Sequence, residues 1–138
     1  MTVFGAVIPF VDHCAIEEVG LVEGRTRLRM RVGPEHMNNI GIVHGGAIAT
    51  LIDVALGTAG RTHSGVPVMT VDMHVSFMAP GRGPVLLGEG RVVGGGRSLL
   101  FCEGEVRDEA GVLVAKASGV MKPVRPKPPG SPEVNPPA

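Results

Sequence analysis

The 138-residue sequence predicts an α+β fold in which a curved antiparallel sheet wraps around one long central helix. Three observations predict it. Residues 45–60, GGAIATLIDVALGTAG, place apolar side chains on every side of a helix axis. Residues 24–32 alternate strictly between arginines and a second set of side chains. Residues 68–121 divide into four strand-like segments joined by turns rich in glycine and proline. A helix that is apolar all round has to be buried all round. A meander of strands curling around it supplies that burial.

The elements follow in chain order. Arg25, Arg27, Arg29 and Arg31 fall on one face of a strand, and Thr26, Leu28, Met30 and Val32 on the other. This is a half-buried strand. Its arginine face reads as a solvated sheet surface, or as a patch drawing an anionic substrate. The helix over 45–60 is rich in alanine and leucine, lacks proline, and is expected to end at Gly60. The next strand, 68–78, carries Val71, Met73, Val75 and Phe77 on one face, with Thr70, Asp72 and His74 on the other. Residues 80–84 form a turn, 85–93 a strand, 94–96 a turn and 97–107 a strand. DEAG at 108–111 closes a hairpin to a last strand over 112–121. The folded domain is thus 1–122. The tail, 123–138, holds seven of the twelve prolines and is expected to be disordered or polyproline-like.

Composition narrows the function. Thirteen basic and thirteen acidic residues cancel, so the basic excess of a general nucleic-acid binder is missing. No apolar run reaches the length of a membrane span. The opening MTVFGAVIPF lacks a basic n-region, and two cysteines, Cys14 and Cys102, make no disulfide framework. A reduced, cytoplasmic protein is expected. Four phenylalanines are the only large aromatics, which leaves little for stacking on bases.

Between Glu35 and Asp72 the one carboxylate is Asp53, in the middle of the apolar helix. An ionised carboxylate in a dry core is costly, so it is paired, reached by water, or functional. An Asp bonded across a subunit interface and a catalytic Asp both fit. Upstream, NNIGIVHGG (38–46) leads into the helix. Free N–H groups at a helix start, approached closely past glycine, suit an oxyanion hole; a tight turn is the plainer reading. Gly45 and Asp53 lie about 12 Å apart along one helix. A base works within about 3 Å, directly or through one water. Either the two are unrelated, or a site joins the helix start of one subunit to Asp53 of another, as a two-fold dimer permits. His36 and His44 have no metal-site spacing, no GxSxG elbow occurs, and GGGRS joins two strands, unlike a phosphate loop.

PEHMNNIGIVHGGAIATLIDVALGTA, TVDMHVSFMAP and GGGRSLLFCEGEV together resemble the PaaI-like acyl-CoA thioesterases of the hot-dog superfamily over about residues 10–122. The resemblance implies hydrolysis of acyl-CoA without metal or bound cofactor, by a homodimer or homotetramer. It implies Asp53 as general base or nucleophile and the Gly45 N–H as oxyanion donor, with Gly46 beside it at the substrate. It further implies that Asn38 holds water or the thioester, that His44 holds the loop and thioester, and that Thr70 joins the site. Alternation, however, turns Thr70 away from the apolar face. Arg82 and Arg97 are candidates for contacts to the coenzyme phosphates, and Ser98 is a further candidate for binding substrate. The rivals are a hot-dog hydratase or dehydratase and a non-catalytic acyl-CoA-binding protein.

Overall fold

The computed structural model describes residues 1–126 and 129–130. The order is α1 (Pro9–His13), β1 (Ile16–Val22), β2 (Arg25–Arg31), a 3-10 turn at Pro34–His36, α2 (Gly45–Ser64), then β3 (Val68–Phe77), β4 (Val85–Gly95), β5 (Leu100–Asp108) and β6 (Leu113–Pro123). The strands form one antiparallel sheet in the order β1-β2-β4-β5-β6-β3. The sheet wraps α2, as the sequence predicts for a hot-dog fold. Of the Pro-rich tail, Pro123 ends β6, and residues 127–128 and 131–138 lie outside the described residues.

α2 packs tightly because the sheet yields space where the helix crosses it. A Cβ on Gly90 would stand 2.2 Å from the Ala55 carbonyl oxygen, and one on Gly104 would stand 2.9 Å from Leu56. Glycine at 90 lets helix backbone touch sheet backbone, and glycine at 104 admits the Leu56 side chain. Leu51, Ile52, Ala55 and Leu56 are fully buried there. Each of the two leucines contributes roughly 2 kcal/mol by leaving water. Buried Thr26 of β2 donates its hydroxyl to the Ala55 carbonyl at 3.0 Å, and Thr58 lies 3.1 Å from Thr26. These hydroxyls fix the rotation of α2 in the sheet.

The turn expected at 94–96 lies instead at 96–99, between the end of β4 at Gly95 and the start of β5 at Leu100, so Arg97 and Ser98 sit in a loop and not on a strand. Four larger features also depart from the sequence reading. α2 runs past Gly60 to Ser64 and is capped by Gly65 in the left-handed region (φ 75°). Gly60 serves packing instead: its Cβ position lies 3.4 Å from Val68. α2 is not enclosed all round, for Ala49, Thr50, Asp53, Val54 and Gly57 are only half-buried within one chain. α1 and β1 carry no clear sequence signal and were not predicted. The fourth departure is a bulge in β3: Thr70 pairs with Met121 and Asp72 with Val120, leaving Val71 as the extra residue. The bulge reverses the alternation. Val71 is 57% exposed, whereas Met73 and Val75 still pack on the core.

The arginine face of β2 is neutralised locally. Arg25 and Arg27 pair with Glu89, at 2.8 and 3.1 Å, and Arg29 and Arg31 pair with Glu17, at 2.8 and 2.9 Å. This supports the solvated-surface reading over an anion-attracting patch.

Candidate active site

The loop before α2 is held by its own side chains. Asn38 Oδ1 accepts from the backbone N–H of Ile40 at 3.0 Å and of Ile42 at 3.2 Å. Asn38 N–H donates to Ile42 O at 2.9 Å, which closes residues 38–42 on themselves. Only the Asn38 NH2 is therefore left to face a ligand. Val43 N–H donates to Gly81 O and His44 N–H to His36 O. Both bonds dock the loop onto the rest of the chain.

His36, weighed in the sequence only as a metal ligand, is buried and ties three segments. Its Nδ1 accepts from Gly33 N–H at 2.9 Å, so Nε2 carries the proton and donates to Cys14 O at 2.8 Å. Its backbone carbonyl then receives His44. The signal in the sequence was a histidine two residues before Asn38, with nothing to mark it as structural.

His44 is the N-cap of α2. Its Nδ1 accepts from Gly46 N–H at 2.8 Å, which leaves the ring proton on Nε2. Ala47 and Ile48 N–H donate to His44 O. Among the described residues, the one N–H of this first turn that no hydrogen bond takes is that of Gly45. That N–H sits at the positive end of a 20-residue helix. The edge of Phe77, at the end of β3, lies 3.5 Å from where a Gly45 Cβ would be.

Asp53 is two turns further along α2 and half-buried. Thr70 Oγ1 donates to its Oδ1 at 2.6 Å. The β3 bulge explains the contact: with Val71 looped out, Thr70 shares a face with Met73 and Val75, contrary to the simple alternation. The hydrogen bond fixes one carboxylate oxygen, and Asp53 and Thr70 both line a cleft of about 860 Å³. Ala49, Val54, Gly57, Val68 and Met73 line it, along with residues 5–8 and 10–11.

The structure thus gathers Asn38, His44, Gly45 and Gly46 at the start of α2, and Asp53 with Thr70 in its middle. It does not bring the two groups together within one chain, because about 12 Å of helix separates Gly45 from Asp53. Arg82 is exposed in the loop beside the start of α2, next to Gly81, which contacts Val43 and Ile48. Arg97 and Ser98 are exposed in the β4–β5 loop, just before Leu100, which packs on Gly60 in the C-terminal half of α2. Arg125 Nη2 donates to Arg97 O at 3.5 Å, placing another guanidinium there.

The chain is similar to known proteins in sequence and fold. A family model described as the thioesterase superfamily matches residues 40–115. The human acyl-coenzyme A thioesterase 13 is 33% identical over 101 residues, which is 71% of this chain and 72% of that protein. The solved structure of a conserved Pseudomonas aeruginosa protein superposes with a TM-score of 0.79 at 26% identity, covering 86% of this chain and 95% of that one. The Escherichia coli PaaI protein of the phenylacetic acid degradation operon shares the fold, with a TM-score of 0.78 at 20% identity over 84% of each chain. No helix among the described residues is long and apolar enough to cross a membrane. The chain belongs to the thioesterase superfamily, and is a thioester hydrolase with the PaaI-like hot-dog fold.

Proposed function

We propose that the protein hydrolyses acyl-CoA thioesters at sites shared between two copies of the chain. The observation that carries this is the direction of β3. β3 is an outer strand, and it runs from Val68, beside Gly60, to Phe77, beside Gly45, so it is antiparallel to α2. Its exposed apolar side chains include Met69 and Phe77. A long apolar edge strand favours pairing with another chain. Antiparallel pairing of two β3 strands would set the Phe77 end of one against the Thr70 end of the other. The Gly45 N–H of one protomer then approaches the Asp53 of its partner, twice in a two-fold dimer. A tetramer would be two such dimers.

At that junction the Gly45 N–H and the helix dipole stabilise the oxyanion that forms as the thioester carbonyl is attacked. Asp53, oriented by Thr70, takes the proton of the attacking water, or attacks to form a short-lived anhydride that water opens. In both routes the C–S bond breaks, the coenzyme leaves as its thiol, and the acyl group departs as the acid. His44 and Asn38 shape the loop that holds Gly45, with the Asn38 NH2 free for water or the thioester, and Gly46 lies against the substrate. The same pairing brings Arg82 of one protomer toward Arg97 and Ser98 of the other, as a cradle for the coenzyme phosphates. Free cysteines fit a reducing cytoplasm.

The test is thiol release from a panel of acyl-CoAs by the parent and by Asp53→Asn. The expected loss is about 100- to 10,000-fold in kcat with the dimer intact. Near-parent turnover in Asp53→Asn sinks the mechanism. Acyl-CoA binding without thiol release would favour a binding protein, and water addition without thiol release a hydratase. Single turnover in labelled water separates the routes: label retained in the Asp53 carboxyl marks attack by Asp53.

A further inference from the structure

We propose that residues 5–11 select the acyl group: this N-terminal segment walls the cleft beside Asp53 and accepts an uncharged, apolar acyl tail. The proposal rests on the thioesterase reading above and names the part of the substrate that reading leaves open. The segment begins in a tight turn. Val3 and Ala6 exchange backbone hydrogen bonds of 2.9 Å, and Phe4 and Gly5 both have positive φ, 47° and 81°. Two such residues in a row make a hairpin-type turn.

The turn is pinned from two sides. Phe4 N–H donates to Glu18 Oε1 at 2.5 Å. Arg61, two turns beyond Asp53 on α2, donates from Nε to Phe4 O at 3.3 Å and from Nη2 to Gly5 O at 3.4 Å. Val3 and Val11 are buried, so the stretch between them is anchored at both ends. Between the anchors Val7 and Phe10 are 69% and 58% exposed, yet both line the Asp53 cleft. Two exposed apolar side chains beside a catalytic carboxylate are what a bound apolar group would cover.

The chemistry of the walls sets the class of acyl group. Asp53, Thr70 and Thr50 make one end polar. Beyond them, Ile8, Val54, Val68 and Met73 are apolar, and a Cβ on Gly57 would meet nothing within 4 Å. The cleft extends about 12 Å along the axis from Asp53 to Arg61. Arg61 commits Nε and Nη2 to the carbonyls of the turn, which holds the turn against α2 at the far end of the cleft. Burying a methylene there should raise kcat/KM by about fourfold.

The experiment measures kcat/KM by thiol release for butyryl-, octanoyl-, decanoyl- and ω-carboxydecanoyl-CoA. The parent should climb along the saturated series and discriminate against the ω-carboxy substrate. Gly57→Leu fills the floor, and should lower the decanoyl-to-butyryl ratio at least tenfold. Phe10→Ala and Val7→Ala, both at exposed positions, should lower the same ratio, chiefly through KM. Arg61→Gln should flatten the series by loosening the turn. Parent turnover with the same series in all four variants overturns the inference and leaves the thioesterase reading standing. A preference for the ω-carboxy substrate also overturns it. No thiol release by the parent from any of these substrates overturns both.

Discussion

Thr70→Val tests the contact that most directly orders Asp53. Valine keeps the shape and branching of threonine, so β3 keeps its preference for extended backbone. What is lost is one hydrogen bond, from Oγ1 to Asp53 Oδ1 at 2.6 Å. A hydrogen bond to a charged group contributes about 1.5–3 kcal/mol. Thr70 is exposed within one chain, so water competes and the lower end applies. About 1.5 kcal/mol is roughly tenfold in rate. The carboxylate remains, so turnover persists at that reduced level. The assay is kcat from thiol release on one good substrate, with KM recorded beside it. KM should hold, because on the proposed mechanism the bond orients the acting carboxylate and does not bind the coenzyme. Thr70→Ser should recover most of the rate. Parent kcat in Thr70→Val would refute the proposal that Thr70 orients Asp53 for catalysis. So would an equal deficit in the Ser variant.

Two further outcomes follow from packing. Gly90→Ala puts a methyl group 2.2 Å from the Ala55 carbonyl, and neither backbone can yield cheaply. The loss should be at least 1–3 kcal/mol, read as a lower denaturation midpoint with the slope unchanged. Burial pushes the Cys102 thiol up to about 11, so it stays protonated in a thiol-release assay near neutral pH. A disulfide reagent should label it only on unfolding. The folded state holds that proton more tightly than the unfolded chain does. The stability it contributes is therefore complete below the ordinary thiol value and falls as pH rises toward about 11, which alkaline denaturation of Cys102→Ala against the parent would reveal.

Much of this molecule is legible in its residues, and the gaps have physical causes. The alternation in β2 is unbroken, so Thr26, Leu28 and Met30 could be placed inward before any coordinates, and they are buried. β1 hides because a bulge between Glu18 and Gly20 breaks its period. Gly60 misleads because glycine serves both to end helices and to admit a neighbour, and only packing tells them apart. At Thr70 the motif resemblance and the period disagreed. One inserted residue, Val71, reconciles them, and a period-two count cannot see an insertion. The Asp53–Thr70 contact joins residues 17 apart in sequence through the sheet, so it needed the fold. The open half of α2 was invisible for a different reason: apolarity states that a surface is covered, and does not state whether by the chain's own sheet, by a partner chain or by a bound acyl group.

Under the shared-site proposal, that open half has a consequence for how the enzyme behaves in solution. One helix keeps Gly45 and Asp53 about 12 Å apart, so on that proposal a lone protomer holds no complete centre. Dilution past the dissociation constant of the pair would then extinguish both centres at once. Specific activity would become a function of how much protein is present, and abundance alone would set turnover.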